Sequence, residues 1–367
     1  MKKILWVVPE LKGGIRSYSE RLYSAVAATC PTEFKLLPLQ ILDARNQKSN
    51  SQLFEVIRHE QPDLIHVQHE FGLFGKKIPG LNHFHVWLAD IRNFSATSKM
   101  VLTAHTVLPP TYRFKRALLN RLLPLLKPYW ATWYWRGVDS IITHSSRQLT
   151  YLKLMAKQTS IAIPHFAPDR VVVPTQKTER PEIVVFGYFT PEKGQLTAIR
   201  AMKFVKTDAK LILAGSARLP ADRAYLALCR SEIEKLGLSD RCEILERYLS
   251  IDEMNELYSR ANVVLAPFEA TTGSGSLVEA FARGCAVLTS DLDLNQEINE
   301  RVPGSVATYQ TGDPQDCALK LDQIIADPAL CSRLKENALK YREEFSLNVI
   351  AERHWDHYRS LLNVPQS

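Results

Sequence analysis

Three stretches of the chain combine small, polar and charged residues in patterns suited to holding an anion. The first is Gly13-Gly14, after "KILWVVP" and before a helix-favouring run. Glycine allows a tight turn and close backbone approach, and a helix N-terminus favours negative charge. An ordinary turn is the alternative. No GxGxxG follows, so the dinucleotide fingerprint is missing and hydride-transfer chemistry is disfavoured. The second is "FGYFTPEKGQLTAI", where Lys193 and Gly194 lie between an apolar run and a helix. A lysine there offers a point charge to a phosphate, or simply sits solvated in a turn. The third is "TTGSGSLVEAFARGC" (271–285). Its Gly-Ser elbow opens a helix whose N–H groups and dipole would cradle phosphate. Glu279, one turn in, would reach a ribose attached to that phosphate. A structural reading competes: Ser276-x-x-Glu279 matches a capping box, and Glu279 can pair with Arg283 at i,i+4. Spacing leaves both open.

Histidines supply further candidates. His69 and Glu70 end the run "DLIHVQHE", where they would bind sugar hydroxyls or orient a base. A buried, hydrogen-bonded histidine is the alternative. His105 ends "KMVLTAH" and is positioned to give or take a proton. A metal site at His66 and His69 does not fit, because they are three apart on a strand and no HExxH is present. "DLD" at 291–293 reads as a polar turn rather than a metal-binding pair.

Nearly all these residues follow short β-branched runs. Strands are expected at 3–9, 63–69, 99–105, 138–145 and 159–166, then again at 182–189, 209–216, 242–249, 261–268 and 284–291, with helical segments between. Such alternation implies parallel sheets with helices on both faces. The Pro- and charge-rich stretch 167–182 reads as a linker. The 367 residues therefore divide into an α/β domain at 1–170 and another at 171–345, both doubly wound and Rossmann-like. A helix over 346–367 is expected to pack back across the boundary. Ligands bind outside the carboxyl ends of such sheets, so two domains would face each other across a cleft. Apolar residues make up 46% and charged residues 23%, the composition of a folded soluble protein. The six cysteines show no CxxC and no ligand spacing, as expected of buried thiols in a reducing compartment. The N-terminus reads as a first strand rather than a signal peptide. No run approaches the ~20 apolar residues that span a bilayer.

The order of the motifs, from "GG" through "VLTAH", "IPHF", "FGYFTPEKG" and "LILAG" to "ANVVLAPF…LTSD", resembles family-4 (group 1) glycosyltransferases of the GT-B fold. That resemblance implies a transferase using a nucleotide-diphosphate sugar, with no cofactor, no metal and no nucleic-acid partner. The second domain would bind the donor and the first the acceptor. Residue by residue, it puts Glu279 on the ribose, the amides around Ser274, Gly275, Ser276 and Leu277 on the distal phosphate, and Lys193 on the diphosphate. Gly13 and Gly14 would approach from the first domain, and His105 would contact the transferred sugar or the acceptor. His69 and Glu70 remain acceptor-side candidates. The sequence departs from the family at two positions. Thr271 stands where the first glutamate of E-x7-E is expected, and Tyr188 stands where an arginine precedes "PEKG".

Residues 1–170 carry 23 Lys and Arg against 11 Asp and Glu, and residues 171–367 carry 23 against 28. The basic first half should attract an anionic partner. Within it, "YRFKRALLNRLLPLLKPYWATWYWRG" (112–137) sets basic residues, Arg113, Lys115, Arg116, Arg121 and Lys127 among them, beside leucines and aromatics, suited to an anionic membrane surface or to core packing. A lipid-linked or glycan acceptor and a cytoplasmic, peripheral location follow from these expectations.

Overall fold

A computed structural model describes residues 1–10, 14–70, 74, 83–107, 135–154, 158–172, 174, 176, 178–270 and 275–365. The chain forms two compact units, Met1–His165 with Leu347–Ser367, and Phe166–Ser346.

The first unit is built on β1 (Lys2–Pro9), β2 (Phe34–Leu36), β3 (Gln40–Leu42), β4 (Leu64–His69), β5 (Lys99–Ala104), β6 (Ser140–Thr143) and β7 (Thr159–Ala162). The strands run parallel in the order β2-β1-β4-β5-β6-β7, with β3 also paired to β1. β4 is buried along its whole length, which explains why it reads as continuous rather than alternating hydrophobicity. Helices Gly14–Ala28, Gln47–Glu60, His83–Phe94 and Ser146–Lys153 connect the strands. The helix Leu347–Leu362 buries Ile350, Ala351, His354, Trp355 and Tyr358, a stripe at helical spacing. It packs on Gly14–Ala28, where Trp355 Nε1 donates to Val26 O at 3.2 Å.

The second unit contains β8 (Glu182–Phe186), β9 (Lys210–Gly215), β10 (Cys242–Glu246), β11 (Ala261–Ala266), β12 (Val287–Ser290) and β13 (Ala307–Tyr309). All pair in parallel, in the order β10-β9-β8-β11-β12-β13. After β8 the chain builds one side of the sheet through β9 and β10, then returns to β11 on the other side. The β8/β11 boundary is thus the topological switch point, the place where ligands bind in open α/β sheets. The stretch expected as a linker lies against this unit. Ala167 N donates to Phe345 O at 2.8 Å, and Gln176 N to Ser259 O at 2.7 Å.

Candidate functional site

The loop after β8 is fastened to both neighbouring strand ends. On one side, Gly187 N donates to Ala214 O at 3.0 Å and Phe189 N to Ser216 O at 3.2 Å. A Cβ on Gly215 would stand 1.8 Å from Gly187 O. On the other side, a short 3-10 turn, Pro191–Lys193, ends at Gly194 with φ +71°. A Cβ on Gly194 would lie 1.6 Å from Pro267 O, so only glycine fits this crossing against the end of β11.

That docking fixes Lys193. Its ammonium lies 4.5 Å from the centre of the Phe268 ring. Among the described residues it makes no ion pair or hydrogen bond. Burial pushes its pKa down to about 8, partly opposed by Glu192. A desolvated ammonium without an anion is costly, and here it stands at the switch point. In the same β8 loop, the ring of Tyr188 carries the guanidinium of Arg218, 3.6 Å from the ring centre. Glu269 accepts a hydrogen bond from the Thr197 hydroxyl at 2.5 Å.

Glu279 lies on the helix Gly275–Ala282, which buries Leu277, Val278, Ala280, Phe281 and Ala282. Arg170 grips its carboxylate with two bonds, Nε to Oε2 at 2.9 Å and Nη2 to Oε1 at 3.0 Å. Arg283, fully buried, donates from Nη1 to Oε2 at 2.6 Å. Arg283 is itself held by Asn255 at 2.9 Å and lies 4.9 Å from the centre of the Tyr258 ring. Burial raises the carboxyl pKa of Glu279, but hydrogen bonds and charge from Arg170 and Arg283 outweigh it, and the net shift is downward. The i,i+4 pair with Arg283 therefore forms. Ser276 is the second residue of the helix rather than its N-cap. Gly14 begins the helix Gly14–Ala28 in the first unit. Gly13, Thr271 and Ser274 lie outside the described residues, as does 112–134 of the basic aromatic stretch.

The polar residues of the first unit gather at the carboxyl ends of β4 and β5. Glu70 accepts from the Thr106 hydroxyl at 2.5 Å. His105 Nε2 meets Gln68 Oε1 at 2.9 Å, and its Nδ1 meets His144 Nε2 at 3.2 Å. His144 Nδ1 in turn meets Ile163 O at 3.2 Å. Every ring is satisfied in its neutral form if Gln68 turns its amide nitrogen to His105, since amide orientation follows the network. Burial, then the neighbouring imidazoles of His144 and His165, hold His105 well below the usual imidazole range. Both ring nitrogens are engaged, which fixes the orientation of His105 just past the end of β5. His69 also differs from expectation. Its ring is fully enclosed by Phe74, Phe84 and Trp135, so it packs the core and offers no open face to an acceptor.

Arg170, Arg218, Gln68 and His144 were not visible as site residues in the sequence. None sits in a fixed-spacing motif, and each acquires its role through a contact distant along the chain or, for Arg218, through a ring in the neighbouring loop. Among the described residues, no group of three or more His, Cys, Asp or Glu is placed to hold a metal ion. No described helix is long and apolar enough to cross a membrane.

Residues 171–341 match the family described as Glycosyl transferases group 1. Alpha-maltose-1-phosphate synthase of Mycobacterium tuberculosis is 29% identical over 195 residues, 50% of this chain and 48% of that protein. The chain spans about half the length of the curated relatives it matches. In overall structure it is similar to sucrose-phosphate synthase from Thermosynechococcus elongatus, with TM-score 0.77, 18% identity and full coverage of both chains. It is also similar to Anabaena HepE in complex with UDP, with TM-score 0.72, 17% identity, and 98% and 100% coverage. The chain thus has the GT-B fold, and the family match falls within its second unit.

Proposed function

We propose that the protein transfers a sugar from a nucleotide-diphosphate donor to a hydroxyl acceptor, with the donor held by the second unit. The observation that carries this reading is Lys193, a desolvated cation without an anion at the switch point. A diphosphate would restore its charge. Glu279, fixed by Arg170 and Arg283, would take the ribose hydroxyls, and the start of Gly275–Ala282 would face the distal phosphate. The UDP complex of HepE supports a uridine nucleotide as the first to try. No pair of carboxylates is assigned as acid and base. The family resemblance supports a front-face, retaining transfer assisted by the leaving phosphate, with no metal called on. The acceptor is a glycan or a lipid-linked intermediate of surface polysaccharide assembly, met at the inner face of the membrane by the basic first unit.

A thermal-shift panel of UDP, GDP, ADP and their sugars tests the donor. A ligand at 100 times its dissociation constant adds about 2.7 kcal/mol of stability. Lys193→Ala should abolish most of the shift. Affinity should also weaken as pH rises above about 8, by up to about tenfold per pH unit, as the free enzyme loses the Lys193 proton. Stabilisation by a nucleotide without turnover of any of its sugars would favour a binding protein of the same fold; no response to any nucleotide defeats the proposal. Transfer to extracted lipid-linked acceptors, with co-sedimentation on anionic liposomes at low salt, tests the acceptor side.

A further inference from the structure

The family resemblance places an arginine where this chain has Tyr188, which leaves Lys193 without a guanidinium from its own loop. We propose that Arg218, carried on the ring of Tyr188, supplies that second positive charge to the donor diphosphate. The inference rests on the transferase reading above and assigns a binding residue within it.

The two loops are held together by backbone contacts. Gly187 and Tyr188 end the β8 side, Ser216 to Arg218 the β9 side, and the Phe189–Ser216 hydrogen bond and the Gly187–Gly215 contact join them. A Cβ at Gly187 would lie 3.9 Å from Cδ and Cε of Lys193, so the lysine stem, the tyrosine and Arg218 occupy one corner of the strand ends. Arg218 is anchored through its backbone, where its N–H and that of Leu219 donate to Asp222 Oδ2 at 3.1 and 3.0 Å. Its side chain is exposed, with no ion pair or side-chain hydrogen bond among the described residues. Stacking at 3.6 Å uses only the flat face of the guanidinium. The N–H groups radiate in its plane and stay available to phosphate oxygens. A tyrosine in place of the usual arginine is then a platform, and the charge has moved to the neighbouring strand's loop.

Calorimetric titration at fixed ionic strength tests this, with whichever of UDP, GDP and ADP binds the wild type and with the matching nucleoside. Arg218→Ala should weaken the diphosphate roughly tenfold and leave the nucleoside within about twofold, the scale of one charge-assisted contact. Tyr188→Leu should cost part of that. Arg218→Ala on top of Tyr188→Leu should cost less than it does alone, since the platform and the charge act as one unit. Diphosphate affinity in Arg218→Ala within about twofold of wild type, or an equal loss on the nucleoside, overturns the assignment while leaving the transferase reading in place. A wild-type protein that binds none of the three diphosphates overturns both. Because Arg218 is exposed, an unchanged melting temperature of the variant shows that the fold is intact.

Discussion

At the scale of single residues, Glu279 shows how a helix position becomes a site. Its carboxylate is enclosed and survives as an anion only because Arg170 and Arg283 face it. Removing one partner of a buried pair leaves an uncompensated charge. Arg283→Met should therefore destabilise the second unit by about 3 kcal/mol, the lower end of the range for breaking a buried pair, because Arg170 still faces the carboxylate. Arg170→Ala should cost less, since Arg170 retains some solvent contact. The pH dependence follows from the lowered carboxyl pKa. A depressed acid contributes stability above its unfolded pKa and loses it as pH falls through the folded value. The gap between wild type and Arg170→Ala in urea unfolding, followed by circular dichroism, should be full near pH 7 and shrink below about 4.5. A gap that stays constant from pH 7 to 4 would show that packing, not charge, is what Arg170 contributes.

Elements place those residues, and the β8 loop is the element on which the donor site depends. Gly194→Ala asks an L-residue to hold φ +71° with its Cβ 1.6 Å from Pro267 O. The loop must move, which should cost at least about 2 kcal/mol and pull Lys193 off Phe268. The expected result is a lowered melting temperature together with a weakened nucleotide-dependent shift. Retention of both would mean that the β8 loop does not set the lysine. Strands of the central sheets were legible because β-branched runs repeat between helices; the expected 182–189 and 261–268 contain β8 and β11. β2, β3 and β13 were not. Each has three residues, too few to show a period, and their pairing comes from the neighbouring strand. The same limit applies to the site. Lys193 and Glu279 sit in local motifs and could be picked out. Arg170 meets Glu279 across 109 positions, a distance at which spacing carries no signal. His69 misled because a strand-end polar residue looks alike in sequence whether it faces solvent or an aromatic core.

Across the whole molecule the ionisable groups are divided unequally, and this sets how acid should unfold it. All ten histidines and all six tryptophans belong to the first unit's segments. Burial, then repulsion from His354 and His357, holds His66 well below the usual imidazole range. Burial acts likewise on His105, and lowers His354 and His357 to about 4. These rings form part of a buried polar lattice: His66 Nδ1 meets the Tyr358 hydroxyl at 2.5 Å, and His357 Nε2 meets Ser140 Oγ at 2.9 Å. A histidine held neutral in the fold contributes no pH dependence well above its unfolded pKa near 6.5. Below it, the unfolded chain binds a proton that the folded chain refuses, so stability falls with pH. Each such ring should cost about 1 kcal/mol between pH 6.5 and 5.5, and the new charges would fall on the more basic half of the chain. The first unit should therefore lose several kcal/mol over that interval, ahead of the second, whose acid-sensitive groups are carboxylates that titrate lower. Tryptophan emission reads the first unit alone. Its urea midpoint should drop steeply from pH 7 to 5.5 while circular dichroism retains a later transition from the second unit. Replacing His357, less enclosed than His66 and His354, with glutamine should flatten the slope by about one proton's worth. An emission midpoint that does not move across this range would mean that the buried imidazoles are already charged in the fold.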